Sequence, residues 1–266
     1  MTAPAHGTGA LRRIFWSELA GTALLLLGGL SCVIVMFGAG SPMARLIPDE
    51  GLRRAVTGFL FGTTGASIAL SPLGRASGAH INPAVTFGFW LMRKLDAGTA
   101  AVYVAGQMAG AVAGSVLLLA WGAWGKSVDY GATVPGAGFG VRDAFLGEVV
   151  TTFAMVSLLA VFLAFRRLRP FTPGLFPPLY SFMVWAEAPL SGTSTNPARS
   201  FGPALVSGRW DGGWIYWLGP LLGTLAATLV CSFLAKRITE ARLYNFDSDS
   251  DRLLRRFGSS AAREKE

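Results

Sequence analysis

The sequence predicts an all-α membrane protein, with six spanning helices and two re-entrant half-helices arranged as an inverted repeat. Three observations predict it. The 266 residues are 52% hydrophobic and only 14% charged, with a mean hydropathy of +0.48, whereas soluble domains carry about 25% charged residues. Six apolar runs approach the length of about 20 residues that a bilayer-crossing helix needs. The tripeptide Asn-Pro-Ala occurs twice, at Asn82 and at Asn196, in matching places of the two halves.

The first span is Ile14–Gly38. It is too long for a signal-peptide core and no small-residue cleavage site closes it. It is expected to be retained, behind a short basic segment over 1–13. Ala55–Ser71, Thr99–Trp121, Ala144–Phe165 and Trp214–Ala235 follow by the same criterion. Leu175–Leu190 is shorter, but "RRLRPFTPG" and "SGTS" bound it, and it reads as a span with a frayed start. One transmembrane domain is therefore expected over 14–235, with halves at about 14–121 and 144–235, followed by a basic tail over 236–266. Pro83–Met92 and Pro197–Ser207 are about half a span long, and each begins in one of the Asn-Pro-Ala triplets.

Six spans return both chain ends to one face. That face and its loops hold 16 of the 23 Lys and Arg, so the positive-inside rule puts both termini in the cytoplasm. The net charge of +8 thus reports topology, and no nucleic-acid partner is expected. The partner expected from this pattern is the lipid bilayer. Cys32 and Cys231 lie inside apolar spans and read as small buried hydrophobes. Four Lys against nineteen Arg, with many Ala and Gly, suggest a GC-rich bacterial genome and hence an inner membrane.

The halves repeat. "NPAVTFG" (Asn82–Gly88) and "NPARSFG" (Asn196–Gly202) agree at five of seven positions. Glu18 and Glu148 sit early in the first helix of each half. Three spans per half is an odd number, so the second copy enters from the opposite face. Inverted repeats of this kind place their site at the repeat interface near the midplane.

Asn is a strong N-cap and Pro suits the first helical turn, so each triplet starts a helix. Being too short to span, each helix begins in mid-membrane, where free backbone is tolerated only inside protein or around a water-filled cavity. Two such helices entering from opposite faces bring two positive dipole ends together. With each Asn oxygen capping backbone N–H groups, the amide NH2 is left to donate into the cavity. Two donors there hold a water oxygen and turn its hydrogens away, while the dipoles repel cations, a device used by aquaporin-type pores.

The sequence resembles the aquaporins, the major intrinsic protein family, from about Ser17 to Ala235. "SGAHINPAVT", "NPARSFGPAL", "YVAGQMAGAVAG" and the paired Glu residues carry the resemblance. It implies a right-handed bundle of six helices and two half-helices, a homotetramer with one pore per subunit, and no cofactor. It also implies the pore motifs Asn82, Pro83, Ala84, Asn196, Pro197 and Ala198, and a four-position selectivity filter. Arg199 matches the filter's Arg, and a lone Arg in an apolar stretch costs several kcal/mol unless it pairs or serves a pore. Thr193 matches the residue that offers a backbone carbonyl. Val184 stands where water-selective members usually carry His. The fourth position falls on Phe61 if "SPLGR" holds a one-residue insertion and on Gly62 if it does not; Phe61 is expected.

Val184 removes a donor and some bulk. Ser200 and Ala204, by contrast, follow the water-channel pattern and not the glycerol-channel one. Water is expected to pass well and glycerol weakly. Glu18 and Glu148 are expected to accept loop backbone N–H groups, and His80 to lock its loop by a hydrogen bond. Glu187, without a repeat mate, is assigned to the outer vestibule or to a subunit contact. The Gly-rich stretch 125–142 either covers the pore mouth or merely connects. The spacing of Gly106, Gly110 and Gly114 suggests close helix packing. The competing classes are an ion-coupled transporter, an enzyme and a junction protein. No Gly-x-Ser-x-Gly, His-Glu-x-x-His or phosphate loop supports an enzyme, and half-helix N-termini suit repelling cations better than binding them.

Overall fold

Among the residues described by the computed structural model, 7–244, eight helices of eight residues or more build the body. They are α1 (Thr8–Phe37), α2 (Glu50–Leu70), α3 (Pro83–Leu91), α4 (Ala97–Leu118), α5 (Val141–Ala164), α6 (Thr172–Ser191), α7 (Pro197–Ser207) and α8 (Ile215–Val230). Six are long, and α3 and α7 are the half-length helices that start at the triplets. By length and composition, Thr8–Phe37, Ala97–Lys126 and Val141–Ala164 are each apolar enough to cross a membrane. The other three are less uniform for visible reasons. Glu50, Arg53 and Arg54 occupy the start of α2. Pro177, Pro178 and Pro189 interrupt α6. The 3-10 turn Ser232–Arg237 continues the short α8.

Two boundaries differ from expectation. α1 begins at Thr8, six residues ahead of Ile14, because Ala10 and Leu11 already bond back to the Gly7 carbonyl. The tail does not leave the body at residue 236: Ile238, Leu243 and Tyr244 are buried against it. The remainder of the expected tail, 245–266, and the first six residues lie outside the described residues.

The packing follows the repeat. α1 lies along α4, and α5 lies along α8. α2 and α6 pair across the halves, as do the start regions of α3 and α7. Small residues make these approaches close. A Cβ on Gly106, Gly110 or Gly114 would stand 2.6, 2.3 or 2.4 Å from the carbonyl oxygens of Phe15, Leu19 and Ala23 on α1. Across the halves, Gly58 and Gly62 of α2 would meet the carbonyls of Tyr180 and Phe176 on α6 at 2.2 and 2.5 Å. Backbones meeting this closely replace the hydrophobic drive that lipid cannot supply. The perimeter exposes Leu24, Val116, Val150, Phe182, Leu218 and Leu229, an apolar coat suited to acyl chains. The protein is an integral membrane protein.

Candidate functional site: a central pore

The two triplets meet in the middle of the body. The side-chain oxygen of Asn82 caps α3 by accepting from Ala84 N at 2.8 Å. That of Asn196 caps α7 by accepting from Ala198 N at 3.0 Å and Arg199 N at 3.3 Å. The amide nitrogens cross over: Asn82 donates to the Thr195 carbonyl and Asn196 to the Ile81 carbonyl, each at 2.9 Å. This amends the sequence expectation in one respect. One N–H of each amide is spent on the opposite half, and one remains for the cavity.

The backbone ahead of each triplet repeats a strained pattern. Ala79 and Ile81 before Asn82, and Thr193 and Thr195 before Asn196, have φ of 52°, 43°, 52° and 51°. Non-glycine residues seldom adopt this left-handed region, and for β-branched side chains it is a genuine outlier. Each such residue costs on the order of 1–3 kcal/mol. The buried acids hold them. Glu18 accepts from His80 N at 3.0 Å, Ile81 N at 2.7 Å, Ser77 Oγ at 2.6 Å and Gln107 Nε2 at 2.8 Å. Glu148 accepts from Ser194 N at 2.6 Å, Thr195 N at 2.8 Å and Ser191 Oγ at 2.7 Å. Hydrogen bonds to acidic side chains contribute about 1–3 kcal/mol each, the same order as the strain.

His80 is fixed from all sides. Its Nε2 faces the Ala241 carbonyl at 2.9 Å, so that nitrogen carries the proton, and its Nδ1 faces Thr86 Oγ1 at 3.1 Å. Its ring stacks between Phe89 and Tyr103, with centroids 4.7 and 4.2 Å away.

Two cavities meet along this axis. The outer one, of about 280 Å³ and open on the face opposite the chain ends, is edged by Phe61, Val184, Thr193 and Arg199 together. The inner one offers about 40 Å³ and is edged by Asn82, Asn196, His80 and Ile81. At about 10–15 Å³ per water, the inner one has room for roughly three waters. The four filter positions proposed from sequence thus share one wall system. Of the two candidates on α2, Gly62 is turned onto α6 and edges only the inner cavity. Phe61 edges both, and its ring fills the space above Gly29 of α1. Arg199 is buried and its guanidinium donates to the Gly131 carbonyl at 2.6 Å. The stretch 125–142 therefore packs over the pore mouth. Val128, Gly131 and Ala132 edge the outer cavity, and Thr133 Oγ1 lies 2.6 Å from Ser200 Oγ. Glu187 does not edge the outer cavity. It is buried beside Gly147 and bonded to Ser191.

Sequence reasoning missed Tyr180. It edges both cavities, and its hydroxyl lies 3.0 Å from Thr195 Oγ1 and 3.4 Å from Met155 Sδ. The signal was available: Tyr180 stands four residues before Val184, one turn deeper on the same helix face.

Comparison with known proteins agrees with this geometry. The family model described as "Major intrinsic protein" matches residues 7–231. Aquaporin TIP4-4 of Zea mays is 38% identical over 211 residues, covering 76% of this chain and 81% of that protein. Probable aquaporin TIP4-1 of Oryza sativa subsp. japonica is 35% identical over 231 residues, covering 81% and 88%. Among solved structures, the aquaglyceroporin from Plasmodium falciparum superposes with a TM-score of 0.65, covering 85% of this chain and 96% of that one. Its 18% identity supports the shared fold alone. This chain belongs to the major intrinsic protein family.

Proposed function

We propose that this chain is a passive transmembrane channel that conducts water, admits small neutral solutes such as glycerol weakly, and excludes protons and ions. The observation that carries the reading is the meeting of two Asn-capped half-helices from opposite halves, each Asn keeping one N–H for the pore. A water held by both donors turns its hydrogens outward, away from its neighbours in the file, and the helix ends repel cations. The plant relatives named aquaporins and the fold neighbour named an aquaglyceroporin bracket the expected range of permeants.

In this reading Arg199, Val184, Thr193 and Phe61 form the outer filter, where Arg199 supplies charge and donors. Glu18, Glu148 and His80 support the two loops. Transport needs no catalytic step. The charge distribution supports cytoplasmic chain ends, the family resemblance supports a homotetramer, and the amino-acid usage supports a bacterial inner membrane. A broader facilitator is the second reading, favoured by the missing donor at Val184.

Stopped-flow light scattering on proteoliposomes tests this, with sucrose and then glycerol gradients. Fast shrinkage under sucrose with slow glycerol entry is expected. Water flux no faster than that of protein-free liposomes would end the channel reading.

A further inference from the structure

Rings stand where the two cavities adjoin. Tyr180 and Phe61 are buried, both edge both cavities, and their ring centroids lie 5.6 Å apart. Phe176, one turn deeper on α6, continues the aromatic wall with its centroid 6.4 Å from that of Tyr180. The Tyr180 ring has little freedom. The Tyr180 hydroxyl is held between Thr195 Oγ1 at 3.0 Å and Met155 Sδ at 3.4 Å, the latter taking its hydrogen. One end of the ring is thus tied to the loop that presents Asn196, while its backbone is pinned against Gly58.

We propose that Tyr180, with Phe61, forms a second size-selective constriction one helical turn inward of Val184. Resting on the channel reading above, it makes Tyr180 a specificity-determining residue. The small Val184 widens the outer filter, and the aromatic pair restores the size limit further in. A solute wider than water that passes Arg199 meets a ring that cannot swing aside without breaking its bond to the loop.

The test compares Tyr180→Leu with Tyr180→Phe in proteoliposomes. Tyr180→Leu should raise the glycerol-to-water permeability ratio several-fold. Tyr180→Phe, which keeps the ring, should leave that ratio unchanged. An unmoved ratio in Tyr180→Leu overturns the proposal, and so does an equal rise in both variants, which would put the effect in the hydroxyl. Absence of water flux in the unaltered protein would instead sink the channel reading itself.

A second inference rests on the inner mouth. Residues 238–244 form a strap across the loop that carries the first triplet. Leu243 N donates to the Gly78 carbonyl at 3.0 Å, His80 donates to Ala241, and Arg242 donates to the Arg75 carbonyl at 2.8 Å. Leu243 is buried and edges the inner cavity together with Asn82 and Asn196. Two of these bonds end on the loop that carries Asn82, so the strap and the inner mouth are physically linked. We infer that it is an autoinhibitory contact, with the Leu243 side chain narrowing the inner end of the water file and strap release opening it.

Leu243→Ala should raise water permeability several-fold, and Leu243→Trp should lower it, with the thermal unfolding midpoint measured alongside. Equal water flux in the unaltered protein and both variants overturns the inference. A closed unaltered channel that Leu243→Ala opens would be its clearest support.

Discussion

Glu148 Oε2 accepts the backbone N–H of Thr195 at 2.8 Å, and Thr195 in turn offers its carbonyl to Asn82 of the other half. An acid on α5 therefore sets the position of an amide donor on α3. Glu148→Gln replaces one acceptor oxygen with an NH2 group that faces N–H donors. Leaving one buried donor unmatched costs about 1–3 kcal/mol. The variant should unfold at lower temperature in detergent and lose most of its water flux. A variant with unchanged midpoint and flux would show that the loop holds its left-handed residues without the acid.

Arg199 places a charge and several donors beside the outer cavity. Arg199→Val should let protons or small cations leak while water still passes, as read by a pH-sensitive dye in liposomes under an imposed potential. Unchanged proton conductance would show that the half-helix ends exclude cations without it.

Gly29 makes room for a ring. A Cβ there would stand 2.4 Å from Phe61 Cδ2, so Gly29→Ala must push the ring, and the free side is the pore. Water flux should fall several-fold although Gly29 lies behind the Phe61 ring. Flux equal to that of the unaltered protein would mean that α1 yields instead of the ring.

Val184 is the outer filter's missing donor. Val184→His restores a donor opposite Arg199 and narrows the wall. It should lower glycerol leak and leave water flux within a few-fold, since one hydrogen bond is worth on the order of 1 kcal/mol net. If the glycerol-to-water ratio stays the same, size selection rests at the inner ring pair and Val184 is not a filter residue.

The architecture was legible because its signals are local and doubled: apolar runs, a capping Asn-Pro twice, and an acid twice. The glycines at 106, 110 and 114 showed that α4 packs closely, though not that its partner is α1. The expectation of Phe61 over Gly62 hung on one assumed insertion, because adjacent helical residues point about 100° apart. In the structure the α6 backbone presses on Gly62, and only Phe61 edges the outer cavity. The left-handed backbone at Ile81 and Thr195 was not legible. Residue type argues against it, and it exists because distant acids hold it. Tyr180 read as one more aromatic in an apolar run. The strap escaped notice because its short stretch follows the last expected span and carries no helical or strand periodicity, and only its contacts with Gly78 and His80 reveal it.

The crossed Asn amides also bear on the order of synthesis. Asn82 and Thr195 are 113 residues apart, so the first half leaves the ribosome long before its partner carbonyl exists. Until then the Asn82 amide and the Ile81 carbonyl have no mates from the second half. In hydrocarbon such groups cost several kcal/mol each. The nascent first half must therefore keep this loop in water, or shelter it against the insertion machinery, until α7 arrives. The crossing acts as a closing step, completed once and late, and it makes insertion of the second half a requirement for the first half to settle.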